Sequence, residues 1–186
     1  MRIISGLYKG RQLKTPANIR PTEDRVRKAL FDILGDVSGA SFLELFAGSG
    51  SVGFEALSQG AGAAVFVEKD RNCSLIIEQN VKGLLSAAGN NSSPATVITD
   101  DAAAAVSRLA RQARRFDIIF ADPPYYKGLS EKILQTVDEY DILIHISGFL
   151  IIQHFKKDPL PAKQGNLVLF KQSSYGDTVL SFFTRP

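Results

Sequence analysis

The chain has 186 residues, 45% of them apolar and 22% charged, with a formal net charge of +3 and a single cysteine, Cys73. That length buries one good core and falls short of two, so a single domain over residues 1–186 is expected, and the composition is that of an ordinary globular protein. One cysteine excludes internal disulfides and multi-thiolate metal sites, which suits a reducing cytosol.

The longest apolar stretch, Ile142 to Ile152, is interrupted by His145, Ser147 and Gly148, and MRIISGLYKGRQ lacks the apolar core of a signal peptide. A cytoplasmic protein without a membrane segment is expected. The charge is uneven. Residues 1–28 hold eight basic side chains (Arg2, Lys9, Arg11, Lys14, Arg20, Arg25, Arg27 and Lys28) against Glu23 and Asp24, a surplus of six that leaves the remainder at −3. A cationic arm on a slightly acidic body is the footprint of a protein that holds a polyanion at one place, and a solvated surface segment is the other reading of the same charge.

RIISG and RQLKT flank LYKG, two β-prone runs around a Gly-containing turn, and predict a hairpin within a basic extension over residues 1–20. Thr22 is placed to cap a helix in which Val26, Ala29, Leu30, Ile33 and Leu34 form the buried stripe, leaving Arg25, Arg27 and Lys28 free for a partner. The 21–186 core then alternates apolar runs with helical patterns. SFLELFA precedes a helix over Val52–Ser58, AAVFVE precedes Cys73–Leu85, ATVIT precedes Ala102–Arg114, and FDIIFA precedes Leu129–Tyr140. Short strands of this kind separated by helices imply right-handed crossovers and a parallel sheet covered on both faces, a doubly wound α/β fold. FLIIQHFKK, LVLFKQSS and TVLSFFT follow without strong helical patterns and predict antiparallel strands at the end of the sheet. Ser86–Pro94 reads as a flexible loop.

Gly48, Gly50 and Gly53 take the G-x-G-x-x-G spacing directly after the first parallel strand, where backbone can approach a ligand and a helix amino terminus offers unpaired N–H groups. Glu68 closes the second strand, where a carboxylate can accept both hydroxyl protons of a ribose. Asp100 and Asp101 end the third, suited either to an adenine amino group or to capping the helix from Ala102. To this point an NAD-dependent oxidoreductase fits equally well.

ADPPYY, residues 121–126, breaks the tie. Asp122 ends the fourth strand, two prolines stiffen the loop and leave carbonyls free to accept, and Tyr125 offers a flat ring. This set suits a planar substrate with an exocyclic amine: Asp122 and the Pro123 carbonyl take the amine protons while Tyr125 stacks on the ring. Drawing both protons out of the ring plane aims the nitrogen lone pair at an electrophile held in line. No histidine is needed, and His145 and His154 read as structural.

FLELFAGSGSVGFEALSQGA, VFVEKDR and IIFADPPYYKG, in this order, resemble S-adenosylmethionine-dependent amino-methyltransferases. MRIISGLYKGRQL and RPTEDRVRKALFDIL narrow the resemblance to the RsmD family, which methylates the N2 amine of one guanine, conventionally 966, in bacterial 16S ribosomal RNA. The resemblance implies a Rossmann-like, mostly parallel seven-stranded sheet with an antiparallel C-terminal strand and an N-terminal β-hairpin. It implies that Gly48–Gly53 meet the methionine part of S-adenosylmethionine, Glu68 the ribose and Asp101 the adenine region, with Glu44, Phe46, Ala47, Lys69, Ala102 and Asp122 in the same cofactor set. It places Asp122, Pro123, Pro124 and Tyr125 at the amine, and Arg2, Lys9, Arg11, Arg20, Thr22, Arg25 and Arg27 toward 16S rRNA or the assembling 30S subunit. No metal is implied, and a monomer is expected. Glu44 departs from the more frequent Asp, and Gln153 stands where relatives often place an acid. A DNA adenine-N6 methyltransferase shares the Asp-Pro-Pro-Tyr logic but normally needs a separate target-recognition region. A non-catalytic RNA-binding module is the remaining alternative. A target base must leave its stack to enter such a pocket.

Overall fold

The computed structural model describes residues 1–17, 19, 22–86, 94–125, 128–144 and 147–186. Arg20, Tyr126, His145 and most of the expected 86–94 loop therefore lie outside the described residues. The chain comprises two compact units, Met1–Asp100 and Asp101–Pro186, and its eight strands form one mixed α/β sheet.

In the first unit, helix α1 (Asp24–Leu34) precedes β1 (Ser41–Leu45), α2 (Ser51–Ser58), β2 (Ala63–Glu68), α3 (Arg71–Ser86) and β3 (Ala95–Thr99). The strands lie in the order β3-β2-β1 and are all parallel, with Ser41 opposite Ala63 and Ala64 opposite Ala95. β1 and β2 are buried along nearly all of their length: α2 packs on both, and α3 packs on β2 and β3. The Phe54 ring of α2 meets Phe66 of β2 at 4.9 Å between centroids, and Phe31 of α1 stacks on Phe42 of β1 at 6.5 Å. Each such ring buried contributes roughly 2–3 kcal/mol.

In the second unit α4 (Ala102–Arg111), β4 (Ile118–Ala121), α5 (Leu129–Tyr140) and β5 (Phe149–Phe155) are followed by β6 (Lys163–Gln164), β7 (Leu167–Tyr175) and β8 (Thr178–Thr184). The strand order is β4-β5-β8-β7-β6, with β4 and β5 parallel and the rest antiparallel. The sheet thus has eight strands rather than the expected seven. The addition, β6, is a two-residue strand that pairs with β7 across Gly165 and Asn166, with Gly165 at φ 53° and the Asn166 N–H donating to Asp138 Oδ1 at 3.0 Å. Two residues are too few to leave a periodic pattern in sequence.

At the amino terminus the expected hairpin forms, with its turn drawn onto α2. A short antiparallel pairing joins the two runs: Arg2 bridges Gln12, Leu13 N–H donates to the Met1 carbonyl at 2.8 Å, Ile3 N–H to the Arg11 carbonyl at 3.1 Å and Gly10 N–H to the Ile3 carbonyl at 2.9 Å. Beyond Ile3 the donors turn to α2. Ile4 and Ser5 N–H donate to the Glu55 carboxylate at 2.9 and 2.8 Å, Tyr8 N–H to Ser58 Oγ at 2.9 Å, and Leu7 N–H to the Ser58 carbonyl at 2.6 Å. Gly6 makes the approach possible: a Cβ there would lie 1.8 Å from the Ser58 carbonyl oxygen, and its φ is 77°. A second tie is bidentate, with Asn80 of α3 exchanging both amide hydrogen bonds with the backbone of Lys14 at 2.9 Å. α1 also begins later than Thr22 predicts, with Glu23 at its N-cap and no side-chain cap. Its buried residues are Val26, Arg27, Leu30 and Phe31, so the inward face is rotated away from Ala29 and Ile33.

Candidate active site

The turn after β1 is tightly wound. Phe46, Gly48 and Gly50 have φ of 57°, 54° and 73°, and Gly50 is the N-cap of α2. A left-handed Phe costs roughly 1–3 kcal/mol and persists where the surroundings over-determine it. The anchor is Glu44, 3% exposed, whose Oε1 and Oε2 accept from Val52 and Gly53 N–H at 3.2 and 2.8 Å. Gly53 leaves room for this carboxylate, since a Cβ would lie 2.8 Å from Glu44 Oε2 and 2.5 Å from the Phe66 ring.

The expectation of unpaired N–H groups at the start of α2 is thereby corrected: a buried carboxylate already takes two of them. An anion would meet negative charge at this helix terminus, whereas a cationic sulfonium or ammonium is favoured there. Glu68 adds a second carboxylate, accepting from Gly48 N–H through Oε2 and from Asp70 N–H through Oε1, both at 2.7 Å. Two acceptors with about four lone-pair sites retain capacity for ribose hydroxyls. Ala47 is buried, its N–H donating to the Val67 carbonyl at 3.0 Å, and Lys69 is exposed past the end of β2.

The other predicted residues belong to the second unit. Asp101 is the N-cap of α4, its Oδ1 accepting from Ala103 N–H at 3.0 Å, so the capping role open in sequence is the one the fold uses; Ala102 beside it is buried. At the carboxyl end of β4, Ala121 stands opposite Ile152 of parallel β5, so the next residues, Asp122 and Gln153, are lateral neighbours. Gln153 Nε2 donates to Asp122 Oδ2 at 2.8 Å. Burial pushes the Asp122 carboxyl up to about 7, against the lowering effect of the Gln153 bond. Pro123 is buried and Pro124 exposed. Tyr125 is held at both ends, its ring 5.8 Å from that of Phe155 and its hydroxyl 3.3 Å from Thr178 Oγ1. His154 is buried, with Nδ1 3.1 Å from the Phe155 carbonyl and Nε2 2.8 Å from Ser181 Oγ, a structural histidine as read from sequence.

A model of the family described as "Conserved hypothetical protein 95" matches residues 1–184. The chain belongs to this family. It is 36% identical to the putative rRNA methyltransferase YlbH of Bacillus subtilis, covering 100% of this chain and 99% of that protein. Identity to the ribosomal RNA small subunit methyltransferase D of Escherichia coli is 33%, covering 100% and 90%. A solved structure described as the putative methyltransferase yhhF from Escherichia coli superposes with a TM-score of 0.84 at 30% identity, covering 100% of this chain and 97% of that one.

Within the Conserved hypothetical protein 95 family, then, the basic arm of this member takes an unexpected form. Arg2, Lys9, Arg11 and Arg25 are exposed, and Thr22 is half-buried. Arg27 is not free for a partner: it is 1% exposed, and its guanidinium donates to the Arg2 carbonyl at 2.8 Å, to Asp24 at 2.9 Å and to the Thr22 carbonyl at 3.4 Å. Its Nε lies 3.4 Å from Glu55 Oε2, an ion-pair distance without directed hydrogen-bond geometry. Sequence reasoning missed Glu55 and, though it noted Gln153, gave it no role. An acid between Phe54 and Ala56, and an amide inside FLIIQHF, are each a polar residue in an apolar run, and that was the available signal.

Proposed function

We propose that this chain transfers a methyl group from S-adenosylmethionine to the exocyclic N2 amine of a guanine in 16S ribosomal RNA, the base conventionally numbered 966, in the cytoplasm and as a monomer. Residues 1–186 serve as one catalytic domain, with residues 1–20 as its RNA-facing extension. The observation that carries the reading is the half-buried Asp122 carboxyl, raised toward neutrality at the end of β4 beside a Pro-Pro loop and a tethered tyrosine. The relatives named as rRNA methyltransferases support RNA as the substrate.

S-adenosylmethionine supplies the methyl group as the electrophilic carbon of a sulfonium. Glu44 and Glu68 suit a cofactor that carries positive charge, and Glu44 disfavours the diphosphate of a dinucleotide, which weighs against nicotinamide chemistry. Asp101 and Ala102 are the residues for the adenine region. Asp122 and the Pro123 carbonyl accept the amine protons, drawing them out of the ring plane and exposing the nitrogen lone pair. Tyr125, fixed by Phe155 and Thr178, is the platform for the extruded base. Arg2, Lys9, Arg11 and Arg25 neutralise phosphates, so binding weakens as salt rises.

The test is transfer of a labelled methyl group to protein-free 16S RNA, to assembling 30S particles and to DNA, with mass mapping of the modified base. Label at guanine N2 in either RNA form is expected. Label at adenine in DNA, or no label with a nicotinamide-linked absorbance change, overturns the reading.

A further inference from the structure

We infer that Gln153 is a reversible amide partner of Asp122, donating to its carboxylate and, after half a rotation about the last side-chain bond, accepting from its carboxylic acid, so that Asp122 can take up the proton released by the methylated amine. The inference rests on the function proposed above and assigns a positioning residue to it.

Gln153 is 7% exposed, and the structure uses only one end of its amide. Nε2 donates to Asp122 Oδ2 at 2.8 Å, while the buried Oε1 has no hydrogen-bond partner among the described residues. A buried acceptor left empty costs about 1–3 kcal/mol, so an amide kept here for packing alone would be replaced at no loss by an apolar side chain. The empty end has a consequence for motion. Turning the amide exchanges donor for acceptor and breaks no second bond, because there is none to break. Oε1 is then where Nε2 was, ready for a carboxylic O–H. An acid in place of Gln153 accepts but cannot donate when ionised, and a lysine donates but cannot accept; the amide serves both protonation states of Asp122.

The proton balance is simple. Once the amine nitrogen carries the new methyl group it is cationic; its N–H bond breaks, the electron pair stays on nitrogen, and the proton joins a carboxylate oxygen of Asp122. The proton leaves later to water. Among the described residues, burial and the Gln153 amide set the titration of Asp122, and no charged side chain of β5, β8 or its own loop enters it. Midway titration near neutrality lets the same group accept and release within one cycle.

The test compares the wild-type chain with Gln153→Met, close in volume and without an amide, and Gln153→Glu. Asp122 is titrated through its carboxyl carbon by NMR, which needs no RNA, while single-turnover methyl transfer is followed against pH. Loss of the donor raises the Asp122 midpoint in Gln153→Met and raises it further in Gln153→Glu, where a like charge is added. Transfer at pH 7 falls by about fivefold for a shift of one unit. In the wild type the Gln153 amide carbonyl carbon moves downfield as Asp122 protonates. An unmoved midpoint in Gln153→Met with unchanged thermal unfolding, or a Gln153 carbonyl signal indifferent to Asp122, overturns the inference. NMR behaviour as expected in a chain that methylates no RNA leaves the pair standing and overturns the functional reading instead.

Discussion

Glu55 in the first unit, fully buried, and Asp122 in the second, half-buried at a strand end, are both carboxylates drawn into the fold, and the fold treats them in opposite ways. Glu55, 1% exposed, accepts from Ile4 N–H, Ser5 N–H, Ser5 Oγ and Gln59 Nε2, with the Arg27 guanidinium beside it. Asp122 has the Gln153 amide, and its carboxyl rises to about 7. A buried acid surrounded by donors and a cation is a fastener whose charge is satisfied; one left with a single neutral donor is held near its titration point, where proton transfer is accessible. Glu44 sides with Glu55, since both of its oxygens hold the first turn of α2.

That contrast can be broken experimentally. The largest expected effect is Asp122→Ala, which lowers turnover by at least about a thousandfold while S-adenosylmethionine still binds by calorimetry. Lost cofactor affinity with normal turnover would show that the two roles have been exchanged. Next is Glu55→Ala, which removes one of the two carboxylates beside the buried Arg27 and the acceptor of the Ile4 and Ser5 N–H groups. A loss of about 3–5 kcal/mol in urea unfolding is expected, with faster tryptic cleavage at Lys9 and Arg11; a wild-type unfolding midpoint refutes the fastener.

The pH dependence follows from sign. The folded Asp122 carboxyl titrates at about 7, against about 3.9 in an unfolded chain, so the folded state holds a proton that unfolding releases. Its contribution to stability is present below the unfolded value and is lost as pH rises from about 4 to about 7. Thermal unfolding of Asp122→Asn is flatter than wild type across that window, and parallel curves would place the titration elsewhere. The smallest effect belongs to the arm's exposed charge. Arg25→Ala reduces the salt slope of RNA binding by about one and leaves stability unchanged, whereas Arg27→Ala destabilises the chain; equal salt slopes in Arg25→Ala and wild type remove Arg25 from the RNA surface.

Much of the architecture was legible because each element leaves its own period. α5 spans Leu129–Tyr140 as expected, β2 spans Ala63–Glu68 and β3 spans Ala95–Thr99, since turn residues bound each of these segments. Asp122 to Tyr125 were recognisable because a carboxylate, two prolines and a phenol at a strand end have few structural uses. Arg27 was misread for an equally physical reason. A helical stripe was taken to be apolar, and an arginine inside the core needs a partner from elsewhere in the chain, here Glu55, 28 positions later. The hairpin formed but stayed short, because the donors past Ile3 are claimed by Glu55 and Ser58, side and main chain that no local pattern in residues 1–13 announces.

By itself, then, the sequence determined the alternation of strands and helices, the glycine turn after β1 and the Asp-Pro-Pro-Tyr loop at the end of β4, all of which depend on residues within a few positions of one another. Tertiary structure alone decided which charges face solvent and which are spent inside. That Glu44 caps a helix, that Glu55 and Arg27 moor the amino terminus, and that Gln153 reaches Asp122 are matters of distance in space. The reason is that burial sets the value of a charge, and burial is a property of the assembled neighbours rather than of the residue that carries it.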